Sequence, residues 1–331
     1  WHLRDRYNNG MRAYVKRVIA LEKPDLVVCH NLSGWSVSAW DEITAAGLPI
    51  VQVLHDLYLL CPASTMFSKG HSCQQQCGRC ERFRRGHDQR SAQVKTVVGV
   101  SRFMLDTLQA QGYFKGARSY VVHNASPAQP VSIKSTEPVA KNAPLRFGYM
   151  GTLSEPKGLR WLIEQFQRLP IDATLQIAGR GQLDDEARFK AMVTSPRVSF
   201  VGYRSPEQFY RQIDVAIVPS IWSEPFGMVA VEACTYSKPV IASRMGGLPE
   251  IIQDQLNGLL CCPDDPDSLG VAMLKLHQQP ALLARLSAQA RVSVASLTDL
   301  DLMLDSYEVI FVQTLLDRVV PQHELSLSRP A

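Results

Sequence analysis

Residues 223–233 read Ser-Glu-Pro-Phe-Gly-Met-Val-Ala-Val-Glu-Ala, shortly after the apolar run Asp214–Pro219 (DVAIVP). That run has the length and composition of a parallel strand buried on both faces, closed by a proline that cannot extend a ladder. Beyond it, Glu224 and Glu232 bracket a Phe226-Gly227 step and a helical pattern. Eight residues are about two helical turns. The spacing therefore predicts Glu224 at the mouth of a helix and Glu232 about 12 Å along its axis, a pair able to touch two ends of one elongated polar ligand. The amides of Phe226, Gly227 and Met228, at the start of that helix, suit anionic oxygens.

Further short apolar runs lie on either side. One series is 25–30 (DLVVCH), 50–54 (IVQVL), 95–100 (KTVVGV) and 119–123 (SYVVH). A second is 145–150 (LRFGYM), 173–178 (ATLQIA), 197–201 (RVSFV), 214–218 and 238–242 (KPVIA). Helical patterns separate them, so each series predicts a parallel sheet covered on both faces. Ser101 is placed to cap a helix over RFMLDTLQAQ that Gly112 ends. The chain opens on a helical pattern, Met11–Lys23, where such a domain usually begins with a strand and a glycine-rich turn. The first domain is therefore expected to lack its N-terminal strand or strands. The predicted organisation is a first domain over 1–124, a Pro/Ser/Ala-rich linker over 125–144 and a second domain over 145–300. A helix over 301–320 and a tail over 321–331 follow.

Composition narrows the class. The 331 residues suffice for two ordinary domains, and 46% hydrophobic with 20% charged residues is a globular balance. No run of eighteen apolar residues is present, and the first ten residues lack a signal-peptide pattern. The eight cysteines are not spread as a disulfide framework, which favours a reducing compartment. Residues 1–140 hold 17 Lys/Arg against 10 Asp/Glu, a net charge of +7, whereas residues 141–331 carry −3. The basic bias fits either a solvated face or contact with an anionic membrane surface. A cytoplasmic location, peripheral at the inner face of a membrane, is the expectation.

With those residues in view, the chain resembles the retaining glycosyltransferases of family 4, which have the GT-B architecture. The resemblance rests on an ordered set of motifs along nearly the whole chain. They are Met150-Gly151-Thr152-Leu153 followed by Lys157-Gly158, Ile177-Ala178-Gly179-Arg180-Gly181, and Val201-Gly202-Tyr203. The Glu224–Glu232 segment, Lys238-Pro239-Val240 and Gly246-Gly247-Leu248-Pro249-Glu250 complete the set. What the resemblance implies is an α/β fold of two Rossmann-like domains facing across a cleft, and sugar transfer from a nucleotide-sugar donor to an acceptor hydroxyl with retention. The donor is held mainly by the second domain. Glu224 bonds the sugar hydroxyls with help from the amides of Phe226, Gly227 and Met228, and Glu232 takes the ribose. Lys157, with Arg180 as a second cation, neutralises the diphosphate beside Val229 and Gly151. His55 orients the donor sugar, and His30, Asn31 and Asp56 lie on the acceptor side. The acceptor is a saccharide or a lipid-linked one, in polysaccharide or glycoconjugate assembly. No cofactor is required for transfer and no nucleic-acid partner is expected. The family often has Arg where Thr152 stands.

Other readings attach to single features. Cys61, Cys73, Cys77 and Cys80 (C-x11-C-x3-C-x2-C) lie in a loop rich in Gly, Ser and Gln, with His71 nearby. They read either as a tetrahedral zinc site stiffening the loop or as free or paired thiols. Trp35 and Trp40 suit sugar stacking, but helix packing is the commoner use of Trp. Asn124 reads first as a turn residue. The main alternative function is a non-catalytic nucleotide-sugar binder or scaffold. A same-fold epimerase or glycogen-type synthase and a metal-stabilised interaction module are the others.

Overall fold

The computed structural model describes residues 2–126 and 143–319. Most of the expected linker and all of the expected tail lie outside the described residues. The chain divides into two compact units, one formed by residues 1–66, 73–123 and 301–331 and the other by 67–72 and 124–300.

The first unit is built on a four-stranded parallel sheet in the order Val27–Cys29, Ile50–Leu54, Thr96–Gly99, Arg118–Val121. The two central strands are buried at every residue, as their near-continuous apolar sequence requires. Ser101 caps helix Arg102–Ala110 by accepting from the Met104 amide at 3.1 Å, and Gly112 follows with φ +82°. Helix Asn9–Glu22 is capped in the same way by Asn8. The last helix, Leu300–Val319, packs on this sheet. Thr314 and Thr96 share a hydroxyl–hydroxyl bond at 2.7 Å, Tyr120 donates to Gln313 at 2.6 Å, and Arg118 pairs with Asp317 at 2.7 Å. Trp40 is buried and donates its indole N–H to Gln52 at 3.1 Å, so it serves packing. Trp35 remains 40% exposed.

The second unit holds a six-stranded parallel sheet in the order Gly258–Cys261, Val240–Ser243, Val215–Val218, Leu145–Met150, Ala173–Ala178, Val198–Gly202. The strand that comes first in the chain, Leu145–Met150, is central. Two strands are added on one side of it, and then the order reverses to add three on the other. That reversal falls between Leu145–Met150 and Val215–Val218, and the crevice beyond the carboxyl ends of such strands is where open α/β sheets bind ligands. Phe147, Leu175, Ile217 and Ile241 fill the core with Leu162 and Phe166 of helix Leu159–Arg168. Among the described residues no helix is long and apolar enough to cross a membrane.

The first unit also holds a buried polar cluster. Arg84 and Asp5 pair at 3.5 Å with both side chains buried, and the Arg84 guanidinium sits 4.1 Å from the Tyr58 ring centroid. His87 is fully buried; its Nε2 donates to the Arg6 carbonyl at 3.0 Å, while its Nδ1 has no partner. Protonation would place a proton on that unpartnered nitrogen. Burial, and then the charge of Arg84 and its neighbours, accordingly push His87 down to about 3. Because the unfolded imidazole takes up a proton near pH 6.5, the stability contributed by neutral His87 is complete above that pH. It drains away as pH falls towards about 3. Thermal unfolding followed from pH 7.5 to 4.5 is expected to show this loss, and His87→Gln should flatten the pH slope; parallel slopes would refute the assignment.

Candidate functional site

At the strand-order reversal a cavity of about 340 Å³ opens, lined by residues that follow two strand ends and by a helix start. From the strand Leu145–Met150 come Gly151, Thr152 and, after a single 3-10 turn, Lys157. From the strand Val215–Val218 come Ser220 and Glu224, then Gly227, Met228 and Val229 at the opening of helix Met228–Thr235. Asn124 completes the lining.

Glu224 is the centre of the polar contacts. Its residue is 6% exposed, and its Oε1 accepts from Lys157 Nζ at 2.6 Å and from Ser220 Oγ at 2.7 Å. Lys157 also lies 4.9 Å from the Trp222 ring, whose buried indole N–H has no partner. Two glycines allow this convergence. Gly158 has φ +73°, and a Cβ there would stand 1.8 Å from the Pro219 carbonyl oxygen, so only glycine lets the Lys157 turn meet the neighbouring strand end. Gly246 has φ +59° and a Cβ there would stand 2.1 Å from the Glu224 carbonyl oxygen. That carbonyl accepts from the Gly247 amide at 2.7 Å, which fixes the backbone that carries the acid. The hairpin Phe67–Ser68/His71–Ser72, which belongs to this unit, braces the same segment: Ser223 N donates to Ser72 Oγ at 3.0 Å.

Other expected residues lie apart from this cavity. Glu224 precedes the helix by four residues, and Glu232 lies within it. Glu232 sits mid-helix, half-buried, and burial raises its carboxyl above the usual range. Phe226 is buried. Arg180 is exposed with its guanidinium 5.9 Å from the Tyr203 ring, and it does not line the cavity. Among the described residues Lys157 is the only cationic side chain in the lining. Sequence reasoning missed Ser220, and it took Asn124 for a turn residue. Neither position carries a signal by spacing, because each is brought in by the sheet.

In the first unit His55, expected to orient the donor sugar, and the three residues expected on the acceptor side come together as two pairs. His30 Nδ1 and His55 Nε2 share a hydrogen bond at 2.9 Å with their rings stacked, and Asn31 donates to Asp56 at 2.9 Å. Burial, and then the His30 charge, lower His55, while Asp56 opposes them. His55 is thereby kept neutral near pH 7 and able to accept a proton or a hydrogen bond. The four cysteines of the loop also gather: Cys80 Sγ donates to Cys61 Sγ at 3.8 Å, and Cys77 bonds to Cys80. Among the described residues no three His, Cys, Asp or Glu side chains already form a metal-holding group.

The geometry makes one stability test direct. Gly246→Ala is expected to lower the unfolding free energy by about 2 kcal/mol or more, through strain and the clash with Glu224. Urea titration of the purified variant against the parent chain measures it.

Comparison with known proteins agrees with the fold. Residues 1–127 match the Glycosyltransferase Family 4 model and residues 144–279 match Glycosyl transferases group 1. A Klebsiella pneumoniae relative, described as an uncharacterized 42.6 kDa protein in cps region, is 28% identical over 255 residues, or 76% of this chain and 65% of its own. A glycogen synthase of Mycobacterium tuberculosis is 32% identical over 166 residues, 47% of this chain and 39% of its own. The chain thus spans less than two thirds of either relative. The crystal structure of Anabaena Alr3699/HepE in complex with UDP and glucose superposes with a TM-score of 0.71 at 21% identity, covering 91% of this chain and 80% of that one. A glycosyltransferase family model thus matches each of the two parallel-sheet units, and their architecture is that of the GT-B fold.

Proposed function

We propose that this chain transfers a sugar from a nucleoside diphosphate sugar to an acceptor hydroxyl, and that the cavity of the second unit holds the donor. The observation that carries the reading is the Lys157–Glu224 pair beside a helix start at the strand-order reversal. Breaking a glycosyl–phosphate bond builds negative charge on the leaving diphosphate and positive charge at the anomeric carbon. A cation and helix-start amides placed beforehand stabilise the first of these, where the charge appears. Glu224, released by Lys157 as the lysine turns to the diphosphate, offers acceptor oxygens to sugar hydroxyls and faces the developing positive charge.

In this reading Met228 and Val229 present the helix start to the phosphates, with Phe226 and Gly227 shaping the turn, and Gly151 admits the diphosphate to the strand end. Glu232 takes the ribose hydroxyls. Arg180 reaches the donor by side-chain movement from its exposed position. His55, with His30, Asn31 and Asp56, serves the sugar and acceptor side. Transfer proceeds with retention and needs no metal, the leaving phosphate taking the acceptor proton. That the Anabaena neighbour is in complex with UDP and glucose supports a uridine diphosphate sugar as donor. The glycogen synthase relative supports polysaccharide or glycoconjugate assembly as the setting. The net charge of +7 on residues 1–140 supports peripheral contact with an anionic membrane, and so a cytoplasmic location at its inner face, where a lipid-linked acceptor would be met.

A second reading, donor binding without turnover, is favoured by Thr152, which lines the cavity where the family often has Arg. A thermal-shift panel of nucleoside diphosphates and their sugars separates occupancy from turnover when paired with detection of released nucleotide. The expected outcome is a selective rise with one diphosphate, together with release of that nucleotide from its sugar in the presence of acceptor. A shift without release would establish the binder; no shift from a folded sample would sink both readings.

Glu224→Ala should abolish release while leaving the far-UV spectrum unchanged. Lys157→Ala should lower kcat/KM by about 2–4 kcal/mol of transition-state stabilisation. An unchanged rate would move that duty to Arg180.

A further inference from the structure

The loop over residues 61–80 has a backbone that its own side chains do not explain. Ser64, Met66 and Lys69 have φ of +62°, +46° and +52°, three non-glycine residues in the left-handed region within six positions. Each such residue costs about 1–2 kcal/mol against its ordinary conformation. Burial returns little of that cost, because Met66 is the only fully buried side chain between Cys61 and Cys80. Something other than apolar packing must hold the loop.

Two of its four sulfurs already stand as one edge of a site that could do so. The Sγ atoms of Cys61 and Cys80 stand 3.8 Å apart, which is the edge of a tetrahedron whose centre lies about 2.3 Å from each corner, the zinc–thiolate distance. The backbone amides of Cys80 and Arg79, with the Cys80 thiol, direct hydrogen bonds to Cys77. Cys73 is anchored by its amide, which donates to the Met66 carbonyl at 2.6 Å.

We propose that Cys61, Cys73, Cys77 and Cys80 bind one zinc ion as a tetrathiolate site that braces the 61–80 loop. Cys61 and Cys80 form one edge in place. Cys73 and Cys77, half-exposed and exposed, turn about their Cα–Cβ bonds to complete it. Binding forms four Zn–S bonds and releases the thiol protons, with no redox change. His71 is exposed on the hairpin and takes no part.

The test uses the full chain, expressed with zinc in the medium and purified under reducing conditions without chelator. Elemental analysis is expected to find one zinc per chain. Titration with a mercurial should release it as four thiols are blocked, and a strong zinc chelator should lower the melting temperature. Cys73→Ser and Cys77→Ser should each lose zinc at least tenfold, whereas Cys262→Ser, remote in sequence, should keep it. If the serine variants fail to fold, the mercurial titration of the parent chain decides alone. Absence of stoichiometric zinc, release without thiol blocking, or a Cys61–Cys80 disulfide in the freshly purified chain would overturn the proposal. None of these readouts depends on sugar transfer.

Discussion

The second unit is organised around one buried carboxylate. The Glu224 side chain is 8% exposed, and a charge so placed is tolerated only when partners answer it. Its partners come from separate parts of the chain: Lys157 beyond the first strand of the unit, Ser220 beyond the fourth, and the Gly246–Gly247 turn beyond the fifth. Such a pair is weak support for stability, since removing two charges from water offsets most of their attraction. Its value lies in placement. The cation and the acid are held side by side before any ligand arrives, and the glycines at 158 and 246 exist to let three backbones approach that closely.

This arrangement also sets a competition. Lys157 is 30% exposed and already engaged with Glu224. In the proposed function, a diphosphate entering the cavity shares or takes that cation. Doing so frees Glu224 oxygens for hydroxyl groups at the moment the anionic end of the ligand is neutralised. Recognition of the two ends of one donor is then coupled through a single side chain. Helix Met228–Thr235 adds its amino-terminal dipole from the other side, so a developing negative charge meets positive potential from two directions.

The first unit solves a different problem. Between the strands Ile50–Leu54 and Thr96–Gly99 it carries a long excursion that, beyond the buried run Leu57–Leu60, adds few apolar side chains to the core. Polar chemistry takes the place of core. Arg84, Asp5, Tyr58 and His87 form a buried network that fastens the return of this excursion to the amino-terminal segment, and the thiols of Cys61 and Cys80 meet across its loop. The histidine pair and the Asn31–Asp56 bond at the carboxyl ends of the first two strands show the same habit of satisfying polar groups locally. Such networks are sensitive to protonation and oxidation in ways an apolar core is not.

The sequence by itself determined the two sheets. Runs such as DVAIVP and IVQVL carry near-continuous apolar residues because parallel strands are buried on both faces, and that composition survives without knowledge of neighbours. Caps such as Ser101 were legible for the same local reason. Glu224, Lys157 and the helix start were legible through the motifs that carry the family resemblance, and the tertiary structure brings them to one cavity. What only the fold decided is which side chains meet. Ser220 and Asn124 enter the cavity because strands distant in sequence end beside each other, whereas Arg180, close to the motif in sequence, points away over Tyr203. Glu224 lies ahead of its helix rather than on it, because the Gly246–Gly247 turn holds its backbone out of the helical path. Periodicity reports the burial of a segment's own faces; strand order and backbone contact decide what each segment faces, and no single stretch of sequence contains that information.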